Sequence, residues 1–181
     1  MVERRAESPV TPARKMARKV TRSARRAERW MVLRVVLHSR SGEELADPPG
    51  RDLLVSDARS FADLADAIDR AFARWDVSHL HEFRLADGRR IGMADTDEFG
   101  AEGELDDRVE TLARAALTAG DSFEYIFDFG DGWEHTCMVL RDDVDPREQA
   151  GVEPTGIVPV FGWGSIPDQY GRVTPDEPDE E

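Results

Sequence analysis

The stretch FEYIFDFGDGWEH, Phe123 to His135, decides how this chain is read. It holds Asp-Phe-Gly, the tripeptide that carries magnesium in protein kinases, and it places Asp128, Asp131, Glu134 and His135 within eight residues. Tyr125, Phe127 and Phe129 alternate, as residues on one face of a strand do. Asp131-Gly132 is a pair suited to the positive φ angles of a tight hairpin turn. A two-residue turn there would set Asp128 opposite His135, Phe127 opposite Thr136 and Tyr125 opposite Met138. Ile126 and Asp128 would share the second face with His135 and Cys137. The stretch is therefore expected to be a β-hairpin with an aromatic face and a polar tip. The kinase reading fails on context. It requires a glycine-rich loop, a strand lysine and a His-Arg-Asp loop, whereas Lys15 and Lys19 are the only lysines and no His-Arg-Asp occurs.

The rest of the chain supports an α+β reading with a mostly antiparallel sheet. Residues 30–39, WMVLRVVLHS, are a buried-type strand rich in branched side chains, and RDLLVS follows as a second. Ser60 and Asp63 make a capping-box start. Phe61, Leu64, Ile68, Phe72 and Trp75 then recur at helical spacing and predict a core helix from about Phe61 to Trp75. HLHEFRLADGRRIGM reads as a second hairpin about Asp87-Gly88. A short helix is expected over residues 108–121, with Val109, Leu112, Ala116 and Leu117 inward. The order is dominated by hairpins and lacks βαβ alternation. It predicts two helices packed on the sheet and a β-grasp-like start.

With 181 residues the chain is expected to hold one domain, residues 30–172, between a basic arm (1–29) and an acidic tail (173–181). A core of about 150 residues can bury roughly 70% of its unfolded surface without staples. Cys137 is the only cysteine, which excludes an internal disulfide and any multi-cysteine zinc site. A reducing cytoplasm is expected, with no membrane partner, since no apolar run has membrane length. The net charge of −14 conceals a split. Residues 1–29 carry ten bases and three acids, leaving the remainder strongly acidic. Within the arm, Arg14, Arg18, Arg22, Arg25, Arg26 and Arg29 would form one basic stripe on a helix, suited to phosphate contact. The alternative is a solvated tail, or a segment upstream of a start at Met16 or Met31.

SHLHEFRL and GDSFEYIFDFGDGWEHTCMVL together resemble the plasmid pRiA4b ORF-3-like family over about residues 32–144. The pattern carrying the resemblance is Tyr125, Asp128, Phe129, Gly130, Asp131, Trp133 and His135, joined by the block Ser78 to Phe83, which holds His79 and His81. The resemblance implies a bacterial protein associated with plasmids and insertion elements, and some members are labelled putative resolvases. It implies no mechanism. This chain also lacks the cysteines and the Gly-Gly-Pro-rich block that many members carry after the signature.

Two functions follow as expectations. The first is a non-enzymatic binding or accessory module without a cofactor. It would present Tyr125, Asp128, Gly130, Asp131, Trp133, His135, His79 and His81 to a protein or nucleic-acid partner, and the arm would add weak nucleic-acid contact. The alternative is a metal-dependent hydrolase or nuclease in which His79, His81, Asp128 and His135 bind a divalent ion such as zinc. Against that alternative, Asp128 and His135 would satisfy the hairpin tip while His79 and His81 cap strand ends.

Overall fold

Alternating apolar residues build the central strand, β1 (Trp30–Arg40). Met31, Leu33, Val35 and Leu37 are almost wholly buried and point to one side. The structure, a computed structural model, describes residues 28–93 and 104–172. β1 pairs antiparallel with β3 (Gly50–Ser56) on one side and with β8 (Trp133–Asp142) on the other. A two-residue strand, β2 (Glu43–Glu44), folds back on its end. The sheet continues through β7 (Ser122–Phe127), β4 (His81–Leu85), β5 (Arg90–Gly92) and β6 (Leu105–Asp106), and it ends beyond β3 at β9 (Val158–Trp163). Among the described strands only β5 and β6 run parallel. The fold is α+β with a mostly antiparallel sheet, as expected. The opening hairpin is followed by a helix, as a β-grasp-like start requires, but β4 reaches β1 only through β7 and β8.

One helix makes the second layer, α1 (Phe61–Ala71). The capping box forms: Ser60 Oγ accepts from the Asp63 amide, and the Asp63 carboxylate accepts from the Ser60 amide. Phe61, Leu64, Ala65 and Ile68 face the sheet. Phe61 meets Phe83 and Phe123 edge-on at 5.0 and 6.2 Å between ring centroids. The other helices are short: α2 (Leu112–Ala115) buries only Leu112, and α3 (Pro146–Ala150) buries nothing. The expected inward set of the second helix is thus half met, since Leu112 and Leu117 are buried while Val109 and Ala116 are exposed.

α1 ends earlier than its apolar spacing predicts. Phe72 caps it, and Ala73 takes φ 54°, a left-handed conformation. The Ala73 amide donates to Arg70 O at 3.2 Å and the Arg74 amide to Asp69 O at 2.8 Å. This is a Schellman closure with alanine in the position that usually holds glycine. It reverses the chain, so Trp75 turns out to solvent at 51% exposure and Arg74 turns in. The left-handed conformation strains any residue with a Cβ. Ala73 is exposed, so a glycine there disturbs no packing. Ala73→Gly is expected to stabilise the protein by about 0.5–1 kcal/mol in urea unfolding with an unchanged slope. A loss of stability would contradict the closure.

Candidate functional site

The hairpin predicted from Phe123–His135 exists, with a different turn. β7 and β8 pair so that Tyr125 faces His135 and Phe127 faces Trp133. Five residues, 128–132, connect them, and Asp131-Gly132 is not a two-residue turn. The cause is Asp128. It adopts φ 57°, and its Oδ1 accepts from the amides of Gly130 and Asp131 at 3.0 and 3.3 Å. The carboxylate thus does the work expected of a tighter backbone turn. The register is three residues away from the predicted one. An odd shift exchanges the faces of the second strand, so His135 and Cys137 join Tyr125 and Phe127 in the core, and Asp128 does not face His135. Phe129, expected on the aromatic face, lies half-exposed in the loop. Asp87-Gly88 is not a two-residue turn either: Leu85 and Arg89 close a three-residue loop with Gly88 at φ 89°, one residue from the two-residue register.

The core side of this hairpin holds a polar cluster. The Tyr125 hydroxyl, fully buried, donates to Asp69 Oδ1 on α1 at 2.9 Å. Burial pushes the Asp69 carboxyl up to about 6, against the opposing pull of that hydrogen bond. Burial also drives the Tyr125 hydroxyl well above its ordinary value. His135 is 2% exposed, with Nδ1 3.2 Å from Tyr125 O. A carbonyl only accepts, so Nδ1 carries the hydrogen and Nε2 is left as a bare acceptor. Burial first, and the Arg74 charge second, hold the imidazole down at about 3. Trp133 is buried beneath two guanidinium groups. The Arg74 Cζ lies 3.6 Å and the Arg40 Cζ 4.6 Å from its ring centroid. Arg40 also pairs with Asp131 at 3.7 Å, which anchors the loop to β1. Cys137 is buried and its thiol is pushed up by desolvation, so it is a poor nucleophile.

The solvent side holds a separate network. His79 lies in the loop before β4, not on the strand, so it does not share a face with His81. Its Nε2 is 3.0 Å from the Tyr170 hydroxyl and 3.6 Å from Asp76 Oδ2, and its Nδ1 is 3.4 Å from Asp128 Oδ2. Tyr170 donates to Asp76 at 2.7 Å. Hydrogen bonds from Ser78 and Tyr170 hold the Asp76 carboxyl down at about 2, and the bond to Asp76 holds the Tyr170 hydroxyl up at about 12. Gln169 clasps the same loop: its Oε1 accepts from the amides of Trp75 and Asp76. His81 turns away to Asp107, Nε2 to Oδ2 at 2.7 Å.

The four residues considered as metal ligands are therefore divided. His79 meets Asp128, His81 meets Asp107, and His135 is in the core. Among the described residues no group of three or more His, Cys, Asp or Glu is placed to hold a metal ion. Of the basic stripe, Arg29 is taken up by the body, donating to Leu117 O at 2.7 Å and pairing with Asp142 and Asp57. Arg14, Arg18, Arg22, Arg25 and Arg26 lie outside the described residues. The sequence reading missed Asp69, Arg74, Asp107 and Tyr170. Their partners lie far along the chain, and no local spacing marks them.

Asp69 and His135 make opposite demands on pH. The Asp69 value is raised on folding, so its contribution is fully present below about pH 3.8 and lost as pH rises through about 6. The His135 value is depressed, so its contribution is present above pH 6.5 and lost as pH falls toward about 3. Between pH 6 and 4 the two oppose each other at about 1.4 kcal/mol per unit. Asp69→Asn removes the first and leaves the second. The wild-type-minus-variant difference in unfolding free energy should grow by about 2–3 kcal/mol from pH 7 to pH 4. A difference independent of pH would show that Asp69 titrates as it does in the unfolded chain.

Comparison with known proteins agrees with this architecture. The family described as "Plasmid pRiA4b ORF-3-like protein" matches residues 32–156. A relative, "Uncharacterized protein y4hQ" of Sinorhizobium fredii, is 43% identical over 68 residues, 37% of this chain and 34% of that protein. The chain thus spans about a third of that relative's length. A crystal structure of a protein of unknown function, MM3350 from Methanosarcina mazei Go1, superposes with a TM-score of 0.57 over 75% of this chain and 70% of the other, at 21% identity. That likeness concerns the fold alone. With the hairpin, its Asp128-capped loop and the His79–His81 block all inside the matched span, the chain belongs to the plasmid pRiA4b ORF-3-like family.

Proposed function

We propose that this protein is a non-enzymatic, cytoplasmic binding module associated with mobile elements, which engages its partner around the 128–132 loop and touches nucleic acid weakly through its basic arm. One observation carries this reading. The side chains of the hairpin with reactive potential are withdrawn from solvent: Tyr125 on Asp69, His135 buried with Nδ1 on a backbone carbonyl, Cys137 in the apolar core. What the region offers to solvent is a recognition surface. Phe129, Trp75 and Tyr170 are each 44–51% exposed, and His79, Asp76 and Asp128 form a hydrogen-bonded rim beside them. Aromatic rings ringed by fixed polar groups suit partner binding. The association with mobile elements rests on family membership, and the cytoplasmic placement on a single unpaired thiol. No described helix is long and apolar enough to cross a membrane.

The arm supplies charge of the opposite sign to the body, and phosphate contact is the chemistry an arginine stripe suits. The test uses the full chain and a variant with Arg14, Arg18, Arg22, Arg25 and Arg26 all changed to Gln. Full-length protein is expected to be retained on duplex DNA at low salt and released as NaCl rises, with a log–log slope of about −4.5 if five phosphates are neutralised. The variant should lose that retention. Equal retention of the two proteins would remove nucleic-acid contact from the reading.

A further inference from the structure

Arg74 is 5% exposed, and none of its three guanidinium nitrogens has a hydrogen-bond partner among the described residues. The Trp133 ring 3.6 Å away attracts its charge but leaves its N–H groups unsatisfied. Asp69 acts on it through space, and the Asp69 carboxylate is already held by Tyr125. Two neighbours share the deficit. Trp133 Nε1, a donor, and His135 Nε2, an acceptor, are also buried and unpartnered. Trp133 and His135 lie two residues apart on one face of β8, and the Arg74 charge acts on both. Buried polar groups are nearly always satisfied, and unpaired ones collected in one place call for a partner.

We propose that Arg74, Trp133 and His135 form a binding site for a small carboxylate that carries a neighbouring hydroxyl. The guanidinium fork matches a carboxylate in two parallel bonds. The indole N–H supplies a further donor. The His135 tautomer, set by Tyr125 O, leaves Nε2 to accept from the hydroxyl. Arg40, partly exposed on the same indole ring and loosely paired with Asp131, is the side chain whose rotation admits the ligand. This site goes beyond the partner surface and the arm, and its failure leaves the DNA test untouched.

Glycolate is the smallest probe with both groups. It is titrated into the full-length protein while the Trp133 indole N–H and the Arg74 Nε–H are followed by NMR. Both resonances are expected to shift saturably, with acetate binding about tenfold more weakly for want of the bond to His135. Arg74→Lys, checked for an otherwise unchanged spectrum, should weaken glycolate by at least about tenfold because the fork is lost. The wild-type titration stands alone if that variant does not fold. No saturable shift at millimolar glycolate, the same shift with equal NaCl, or full binding by a folded Arg74→Lys variant would overturn the site. Acetate equal to glycolate would overturn the assignment of the hydroxyl to His135.

Discussion

The antiparallel pairing of Tyr125 with His135 is the constraint on which this structure depends. It places Tyr125, Phe127, Trp133, His135 and Cys137 together on the face that α1 covers. Strand alternation leaves no intermediate choice: a slip of one residue on β8 would carry Trp133 and His135 to the other face and bring Glu134 and Thr136 inward. The pairing is held at its loop end. Asp128 caps the loop amides, and Asp131 ties the loop to Arg40. On the interior side Asp69 receives the Tyr125 hydroxyl. That bond fixes β7 against α1, so a slip of β8 has to break the loop contacts of Asp128 and Asp131. The register is thus specified by polar satisfaction as well as by apolar burial.

The fold class was legible because it rests on periodicity. Alternation in β1 and β7 and the capping box at Ser60 are local, and local patterns survive into the structure. The turn was misread for a physical reason. Asp-Gly favours a two-residue turn only where no nearby side chain offers the backbone a better arrangement, and Asp128 offers one. The end of α1 was misread likewise, because apolar spacing continues through Phe72 and Trp75 while the backbone reverses at Ala73. The site contacts were illegible for another reason. Tyr125 finds Asp69 across 56 residues, His79 finds Tyr170 across 91, and His81 finds Asp107 across 26. Only the assembled sheet brings such pairs together.

The two polar clusters differ in what surrounds them. The outer one, around His79, is wet, and each of its groups has partners whose gain is small beside water. The inner one sits under α1, where desolvation decides which form each group takes. Burial is the largest cause in both: it holds Asp69 up and, with the Arg74 charge, holds His135 down, and the two offset each other between about pH 4 and 6. Across that interval the pair lets the protein bury titratable groups without a steep dependence of stability on pH. It also explains why His135, whose position in the signature invites a catalytic reading, is poorly suited to shuttle protons: a group near 3 stays neutral where a base of about 7 is wanted.

Arg74 occupies the position after a Schellman closure where an apolar residue commonly packs back onto the helix. An apolar side chain there would cover Trp133 without the cost of desolvating a charge, and replacements of that kind are often neutral or stabilising. Stability alone therefore gives no reason for an arginine. The guanidinium keeps its charge near neutral pH, since burial lowers it only to about 10. The closure at Ala73, strained in its own right, is what directs that charge inward. Backbone strain and an unpaired buried cation at adjacent residues are two departures from the most stable arrangement, and such departures concentrate where a protein meets a ligand.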